Sequence, residues 1–300
     1  MRFDVIVVGG SFAGLSAALQ LARARRDVLV IDAGEPRNRF AEHSHGFLGH
    51  DGKPPHQILA EAHEQLWRYP TAQLRQGRAS TATTGNDGFA VTLEDGTAFT
   101  ASRLVLATGV RDELPALPGL TERWGRSVAH CPYCHGYESE APLGVLALHP
   151  ASLHQALMLP DWGPTTLFTH GVFEPDAASL QQLRARGLDV ERTPIAALLG
   201  PAPRLEGVRL ADDRVLPLGT LFVAPRTTMA SPLANQLGCA FDDGPLGPAI
   251  RVDGIGATSV PGVFAAGDAA THFTHAVRAA ASGAMAGVAA HRSLIFGLAA

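Results

Sequence analysis

Hydrophobic positions along this 300-residue chain change period repeatedly, and the changes predict alternating strands and helices. Val5 to Val8 is an unbroken apolar run closed by Gly9 and Gly10, as a strand buried on both faces would be. Leu15, Ala18, Leu19 and Ala22 then recur at helical spacing, with Arg23, Arg25 and Arg26 marking the exposed end of a helix over 15 to 25. Val28 to Ile31 returns to strand and ends in Asp32, which completes a βαβ unit. After a loop rich in Pro, Asn and His, residues 56 to 68 read as helix. Residues 72 to 100 alternate polar and apolar around Gly85-Asn86-Asp87-Gly88 and Glu94-Asp95-Gly96, which predicts a small antiparallel meander. Arg103 to Thr108 is a further buried strand, closed by Gly109.

Pro115-Ala116-Leu117-Pro118-Gly119 reads as a linker into a second α/β unit. Its predicted elements are a strand over 144 to 148, a helix over 152 to 159, a strand over 165 to 169, a helix over 177 to 186 and a strand over 189 to 191. A strand pair around 204 to 216 and a strand over 220 to 224 finish it. From about residue 246 the chain turns back, with a strand closing in Gly267-Asp268 and an Ala- and Gly-rich helix over 276 to 294. The expected organisation is one discontinuous domain, 1 to 118 plus 246 to 300, with a second domain inserted at 119 to 245.

Composition narrows the function classes. A hydrophobic content of 46% supports a sizeable core, and a net charge of −4 without a basic stripe argues against a nucleic-acid partner. No run of 18 apolar residues is available to span a membrane, and Met1 to Asp4 leads straight into a strand, so no membrane association and a cytoplasmic location are expected. Of three cysteines, Cys239 lies alone in an apolar setting and reads as a packing residue. Thirteen histidines cluster at 43 to 63, 130 to 154 and 272 to 291. The first cluster sits in the segment His43 to Pro55, which either borders a pocket or is an ordinary connector.

Chemistry concentrates in two places. Cys131-Pro132-Tyr133-Cys134-His135 puts two thiols at a spacing that can close a small disulfide, with an imidazole beside the second to move the proton. A structural zinc would need four ligands, and no second C-x-x-C or paired histidine completes a set, so no metal is expected. His130 either lowers the pKa of the neighbouring thiol or is an exposed structural residue. The second place is Gly9-Gly10-Ser11-Phe12-Ala13-Gly14 between strand and helix, where backbone N–H groups can receive a pyrophosphate. Asp32, eighteen residues after Gly14, can take ribose hydroxyls. Ser11 replaces the second glycine of the usual pattern and restricts the approach without closing it.

With Leu106-Ala107-Thr108-Gly109 and Gly262-Val263-Phe264-Ala265-Ala266-Gly267-Asp268 added, the chain resembles the thioredoxin reductase family of FAD-dependent disulfide oxidoreductases along essentially its whole length. The resemblance implies an α/β fold of two Rossmann-like doubly wound domains, the first binding FAD and carrying the antiparallel meander. It also implies FAD contacts at Gly9, Ser11, Ala13, Gly14, Asp32, Thr108, Gly109, Gly267 and Asp268, and at the helix start His275 and Ala276, where a cap histidine is the other reading. Cys134 is then expected to face the flavin, Cys131 to exchange with substrate, and His135 to act as base. Most members carry Asp at that last position. The string C-P-Y-C-H-G-Y-E resembles the branch of dithiol oxidases that act on disulfide-bearing natural products. Members are usually homodimers, so a homodimer is expected.

The resemblance breaks where members bind NADPH. The turn expected to cradle a second pyrophosphate reads Leu148-His149-Pro150-Ala151-Ser152-Leu153, without glycine, and Phe168-Thr169-His170-Gly171-Val172 lacks an arginine for a 2′-phosphate. Three readings follow. The first is an oxygen-dependent oxidase of a small dithiol that forms hydrogen peroxide. The second is a reductase of a thioredoxin-like protein fed by ferredoxin or another carrier. The third is a flavin redox sensor without turnover.

Overall fold

In a computed structural model that describes residues 2 to 297, the predicted alternation at the start of the chain is present. β1 (Arg2–Val8), α1 (Phe12–Arg23), β2 (Val28–Asp32), α2 (Pro55–Trp67) and β3 (Ala72–Gln76) are followed by β4 (Ala79–Gly85), β5 (Gly88–Leu93) and β6 (Ala98–Leu106). β1 is apolar throughout its second half because it is central, pairing parallel with β2 on one edge and with β6 on the other. The meander is shorter than the alternation suggests. β3 pairs parallel with β2, because α2 supplies the crossover that a parallel neighbour requires, and only β4, β5 and β6 run antiparallel.

β7 (Val110–Glu113) leads on to β8 (Val128–Ala129), α3 (Pro132–His135), β9 (Leu143–Leu146), α4 (Ser152–Met158), β10 (Thr165–Phe168), α5 (Ala177–Ala185) and β11 (Asp189–Glu191). Then come β12 (Ile195–Leu199), β13 (Gly207–Leu210), β14 (Val215–Pro217) and β15 (Thr220–Val223). The chain closes with β16 (Arg226–Met229), α6 (Leu233–Gln236), β17 (Phe241–Asp243), β18 (Pro248–Ile250), β19 (Val263–Ala265) and α7 (Ala276–Phe296). β7 and β16 pair as a two-stranded ribbon.

Two units emerge: residues up to 39, 56 to 111 and 227 onward form one, and 40 to 55 with 112 to 226 form the other. Among the described residues the first holds a sheet of order β3-β2-β1-β6-β5-β4, with β19 laid parallel along the second half of β6. The second holds a parallel sheet of order β11-β10-β9-β15-β8 and a three-stranded antiparallel sheet, β12-β13-β14. Residues 227 to 245, placed by their sequence position in the inserted segment, pack in the first unit: Leu233, Ala234, Leu237 and the buried Cys239 share a core with Ile6, Leu104 and Leu106. The segment 40 to 55 goes the other way and joins the second unit.

Within the first unit α1 and α7 cross at backbone contact. A Cβ on Gly283 would stand 2.0 Å from the Ala13 carbonyl oxygen, and one on Gly287 would stand 2.5 Å from that of Ala17. Two glycines one turn apart therefore face two alanines one turn apart, and the helices meet without intervening side chains. Ser282 extends the contact, its hydroxyl accepting a hydrogen bond from the Gly267 N–H at 3.0 Å. Gly283→Ala is expected to lower unfolding stability by about 1–3 kcal/mol through overpacking, read by thermal or urea unfolding, whereas Ala281→Ser on the exposed face should be neutral. Unchanged stability in Gly283→Ala would show that the helices have room to separate.

Candidate functional site

The expected cofactor residues gather at one edge of the first unit's sheet. β1, β2, β6 and β19 are parallel and in register, Val8 opposite Ile31 and Leu106, and Leu106 opposite Ala265. Their carboxyl ends therefore lie side by side, and the turns that follow them carry Gly9 to Gly14, Asp32, Thr108 with Gly109, and Gly267 with Asp268. This is the edge at which parallel α/β sheets receive ligands.

The glycine turn fits a pyrophosphate cradle. A Cβ on Gly9 would come within 2.1 Å of the Ala107 carbonyl oxygen, and one on Gly14 within 1.7 Å of the Gly9 carbonyl oxygen, so any larger residue would break the turn. At Gly10 a Cβ would collide with the Asp32 side chain, whose Oδ1 accepts the Gly10 N–H at 3.1 Å. The Asp32 carboxylate thereby sits beside the turn, where a ribose would follow a pyrophosphate. Ser11 is the N-cap residue of α1 but makes no side-chain cap bond, which leaves that helix end open to a phosphate. Ala13 lies in the first turn of α1.

Two residues absent from the sequence reading join this edge. Arg37 Nη1 donates to Asp268 Oδ2 at 2.9 Å, and both side chains are largely buried. Its only sequence signal is a basic residue soon after the strand that ends in Asp32. His63 of α2 has a buried Nδ1 without a partner, and burial pushes its pKa down against the opposing charge of Asp32. A buried imidazole nitrogen without a hydrogen-bond partner, beside a carboxylate, is a polar site that a nucleoside could satisfy. At the far end of the edge His275 is the N-cap of α7, its Nδ1 accepting the Val277 N–H at 3.2 Å, and Ala276 is the first helical residue. The imidazole therefore spends one nitrogen on the helix.

The thiols belong to the second unit. Cys131 is the extended N-cap residue of α3, Pro132 opens the helix and Cys134 lies within it, so one turn brings the sulfurs together. Neither cysteine is in a disulfide, and Cys134 Sγ donates to Cys131 Sγ at 2.8 Å. The neighbouring Cys131 thiol, and then burial, push the Cys134 pKa well up. Both ring nitrogens of His135 are buried without a hydrogen-bond partner. Burial is the main cause of its lowered pKa, only partly opposed by the Cys131 carbonyl and the Glu138 carboxylate. Near neutral pH His135 is accordingly an uncharged base.

A cleft of about 380 Å³ opens beside this turn, lined by Cys134, His135 and Glu138, and by His43 and His45 from the 40 to 55 segment. That segment is held by a bridge between Ser44 and Lys53, and it borders the cleft rather than serving as a bare connector. The opposite rim, Pro203 and Arg204, is fixed from inside by the buried Arg123 guanidinium, which donates to the carbonyls of Gly119, Gly200 and Arg204.

The turn after β9 is tied to neighbouring backbone by side chains. His149 Nε2–H donates to the Ala224 carbonyl at 2.7 Å, which ties this turn to the residue following β15. Gln155 of α4 is buried, and its amide donates to the His130 carbonyl. After β10, His170 takes a left-handed backbone (φ 54°), and its Nδ1 accepts the Ile195 N–H at 3.0 Å. Among the described residues no group of three or more His, Cys, Asp or Glu side chains could hold a metal ion, and no helix is long and apolar enough to cross a membrane.

Residues 3 to 143 match the profile of the pyridine nucleotide-disulphide oxidoreductase family. Over 305 residues the chain is 32% identical to thioredoxin reductase sirT of Leptosphaeria maculans, covering 95% of this chain and 92% of that protein. Among solved structures it resembles an oxidoreductase from Agrobacterium tumefaciens, with 52% identity and a TM-score of 0.94 over 99% of both chains. It also resembles HlmI, with 40% identity and a TM-score of 0.92 over 99% of this chain and 93% of that one. A glycine cradle that tolerates no Cβ, a vicinal thiol pair one helical turn apart and likeness along the full chain lead to one assignment: the chain is an oxidoreductase that binds FAD and belongs to the thioredoxin reductase family.

Proposed function

We propose that this enzyme oxidises a small dithiol to a disulfide and that oxygen is the final electron acceptor, leaving as hydrogen peroxide. The observation that carries this reading is the turn after β9, where His149 and Pro150 stand in place of phosphate-binding glycines and His149 is committed to the Ala224 carbonyl, which disfavours electron supply from a nicotinamide dinucleotide. The likeness of C-P-Y-C-H to the dithiol oxidase branch supports the same reading, and the relatives named above support a disulfide/dithiol oxidoreductase. In this reading the first unit holds the FAD and the second carries the redox pair.

Gly9, Ser11, Ala13 and Gly14 would hold the pyrophosphate of FAD, Asp32 the ribose, Thr108, Gly109, Gly267 and Asp268 the flavin end, and the α7 start at His275 and Ala276 the ring. When bound, the FAD takes two electrons from the thiol pair and passes them to oxygen. The chain's own residues do the rest. With Cys131 and Cys134 joined, a substrate thiol gives its proton to neutral His135 and attacks Cys131 Sγ, and Cys134 leaves as thiolate. The second substrate thiol then attacks the first, which releases the product disulfide and leaves both cysteines reduced. This order is the one the family resemblance implies, with Cys131 exchanging with substrate and Cys134 facing the flavin.

A homodimer fits α7, whose exposed Val277, Met285, Val288 and Ile295 fall on one face, away from Gly283 and Gly287. A second copy of the chain is the proposed cover. Sedimentation should give the mass of two chains, with Met285→Glu shifting it toward one; a wild-type monomer would refute the assignment.

Anaerobic mixing of the yellow holoenzyme with excess dithiothreitol should bleach the flavin, NADPH should not, and air should restore colour with peroxide formed. Rapid bleaching by NADPH would return the protein to the ordinary reductases, and bleaching only by reduced ferredoxin would favour reduction of a thioredoxin-like protein. Loss of the base is expected to slow bleaching by dithiol about 100-fold or more in His135→Asn. Because burial lowers the His135 pKa, the acid limb of the wild-type rate should lie below the ordinary imidazole value of 6.5. The sign for stability agrees: below that value the unfolded chain takes up a proton that the folded chain refuses, so stability drawn from neutral His135 is present above it and is lost as pH falls. A limb at or above 6.5 would remove His135 from the role.

A further inference from the structure

Proton balance makes a demand that the thiol turn alone does not meet. Oxidation of a dithiol releases two electrons and two protons, whereas a flavin reduced near neutral pH keeps both electrons and one proton. One proton must therefore reach water during reduction and return during reoxidation, when oxygen becomes peroxide. The base that collects it, His135, has both ring nitrogens shut away from solvent.

The second unit places an exit beside it. His45, from the 40 to 55 segment, lines the same cleft as His135. His45 Nδ1 lies 3.5 Å from Glu138 Oε1 and 3.6 Å from Asp51 Oδ1. Side-chain exposure rises along this set, from the enclosed His135 ring to 22% at His45, 45% at Glu138 and 70% at Asp51. The order is that of a path from interior to solvent, with an imidazole able to take a proton on one nitrogen and give it from the other between a buried base and two surface carboxylates.

We infer that His45, flanked by Glu138 and Asp51, is the proton exit of the thiol site and relays to water the proton that His135 collects. The inference rests on the dithiol-oxidising reading above. The other ionisable groups facing His45 are accounted for. His43 stacks loosely against it, with ring centroids 6.3 Å apart, Glu42 is paired with Arg126, and Glu140 and Arg204 line the farther wall. Glu138 and Asp51 are both solvent-facing carboxylates able to receive the proton, and Asp51 Oδ1 also accepts the Gly46 N–H at 2.8 Å. The step makes and breaks only N–H and O–H bonds, and the electrons stay with the thiol and flavin chemistry.

The test is stopped-flow mixing of the anaerobic holoenzyme with dithiothreitol in weak buffer containing a pH indicator, with flavin bleaching and proton release followed together. Wild type should release one proton per flavin bleached, in step with bleaching. In His45→Gln both signals should slow about tenfold or more at unchanged KM, and added imidazole should restore them, which a purely structural role would not allow. Glu138→Gln, on a separate element, should slow proton release with less effect on substrate binding, and it keeps the inference testable if His45→Gln loses its flavin. Wild-type rates in both variants, or slowing that imidazole leaves untouched, would overturn the relay while the oxidase reading stands. A wild-type enzyme that no dithiol bleaches would sink the oxidase reading itself, an outcome visible before any variant is made.

Discussion

Backbone contact between α1 and α7 is the constraint on which the cofactor edge depends. The two helices begin just after the turns that close β1 and β19, the strands that flank β6. With side chains of ordinary size at 283 and 287 the helices would stand apart, and the two turns would diverge with them. Glycine at both positions lets α7 lie on the Ala13 and Ala17 carbonyls, and Ser282 uses the proximity to hold the Gly267 N–H. The spacing of the two turns thus depends on the absence of side chains at two positions of the far helix, as the shape of the phosphate turn depends on its own glycines.

The thiol site obeys a different logic, in which position along a very short helix sets the chemistry. Cys131 precedes the first turn and Cys134 lies within it, so the sulfurs approach without any distant element to press them together. What the surroundings add is asymmetry. Cys134 is the donor, and its neighbour and its burial push its pKa up. His135, next along the same turn, is kept neutral by the enclosure that also denies it water, and this is why groups brought by another segment matter to it.

Much of this was readable from the chain, for reasons that can be named. Strands such as Val5 to Val8 and helices such as 177 to 186 announce themselves by period, and the glycine turn, C-x-x-C and Gly-Asp motifs are local in sequence. The failures are non-local. That Ala72 to Gln76 runs parallel to β2 depends on the crossover through α2, not on its own alternation. That Leu233 to Cys239 packs in the first unit depends on where the chain crosses back, which the composition of 225 to 246 does not mark. Arg37, His63 and His45 carry no motif, since each matters through a partner far away in sequence: Asp268, Asp32 and Glu138. The pattern placed His43 to Pro55 at a pocket or at nothing in particular, and only folding could decide between the two.

The closed turn after β9 has a consequence for how the protein endures in a cell. Where a fold keeps an open nucleotide site, part of its stability is borrowed from the ligand and rises and falls with ligand concentration. Here His149 reaches across to Ala224, and Gln155 ties α4 to the backbone at His130, so the second unit holds this turn with contacts of its own. On the reading proposed above, its resistance to unfolding and proteolysis is an inherited constant of the sequence, indifferent to starvation or to any other change in the nicotinamide supply.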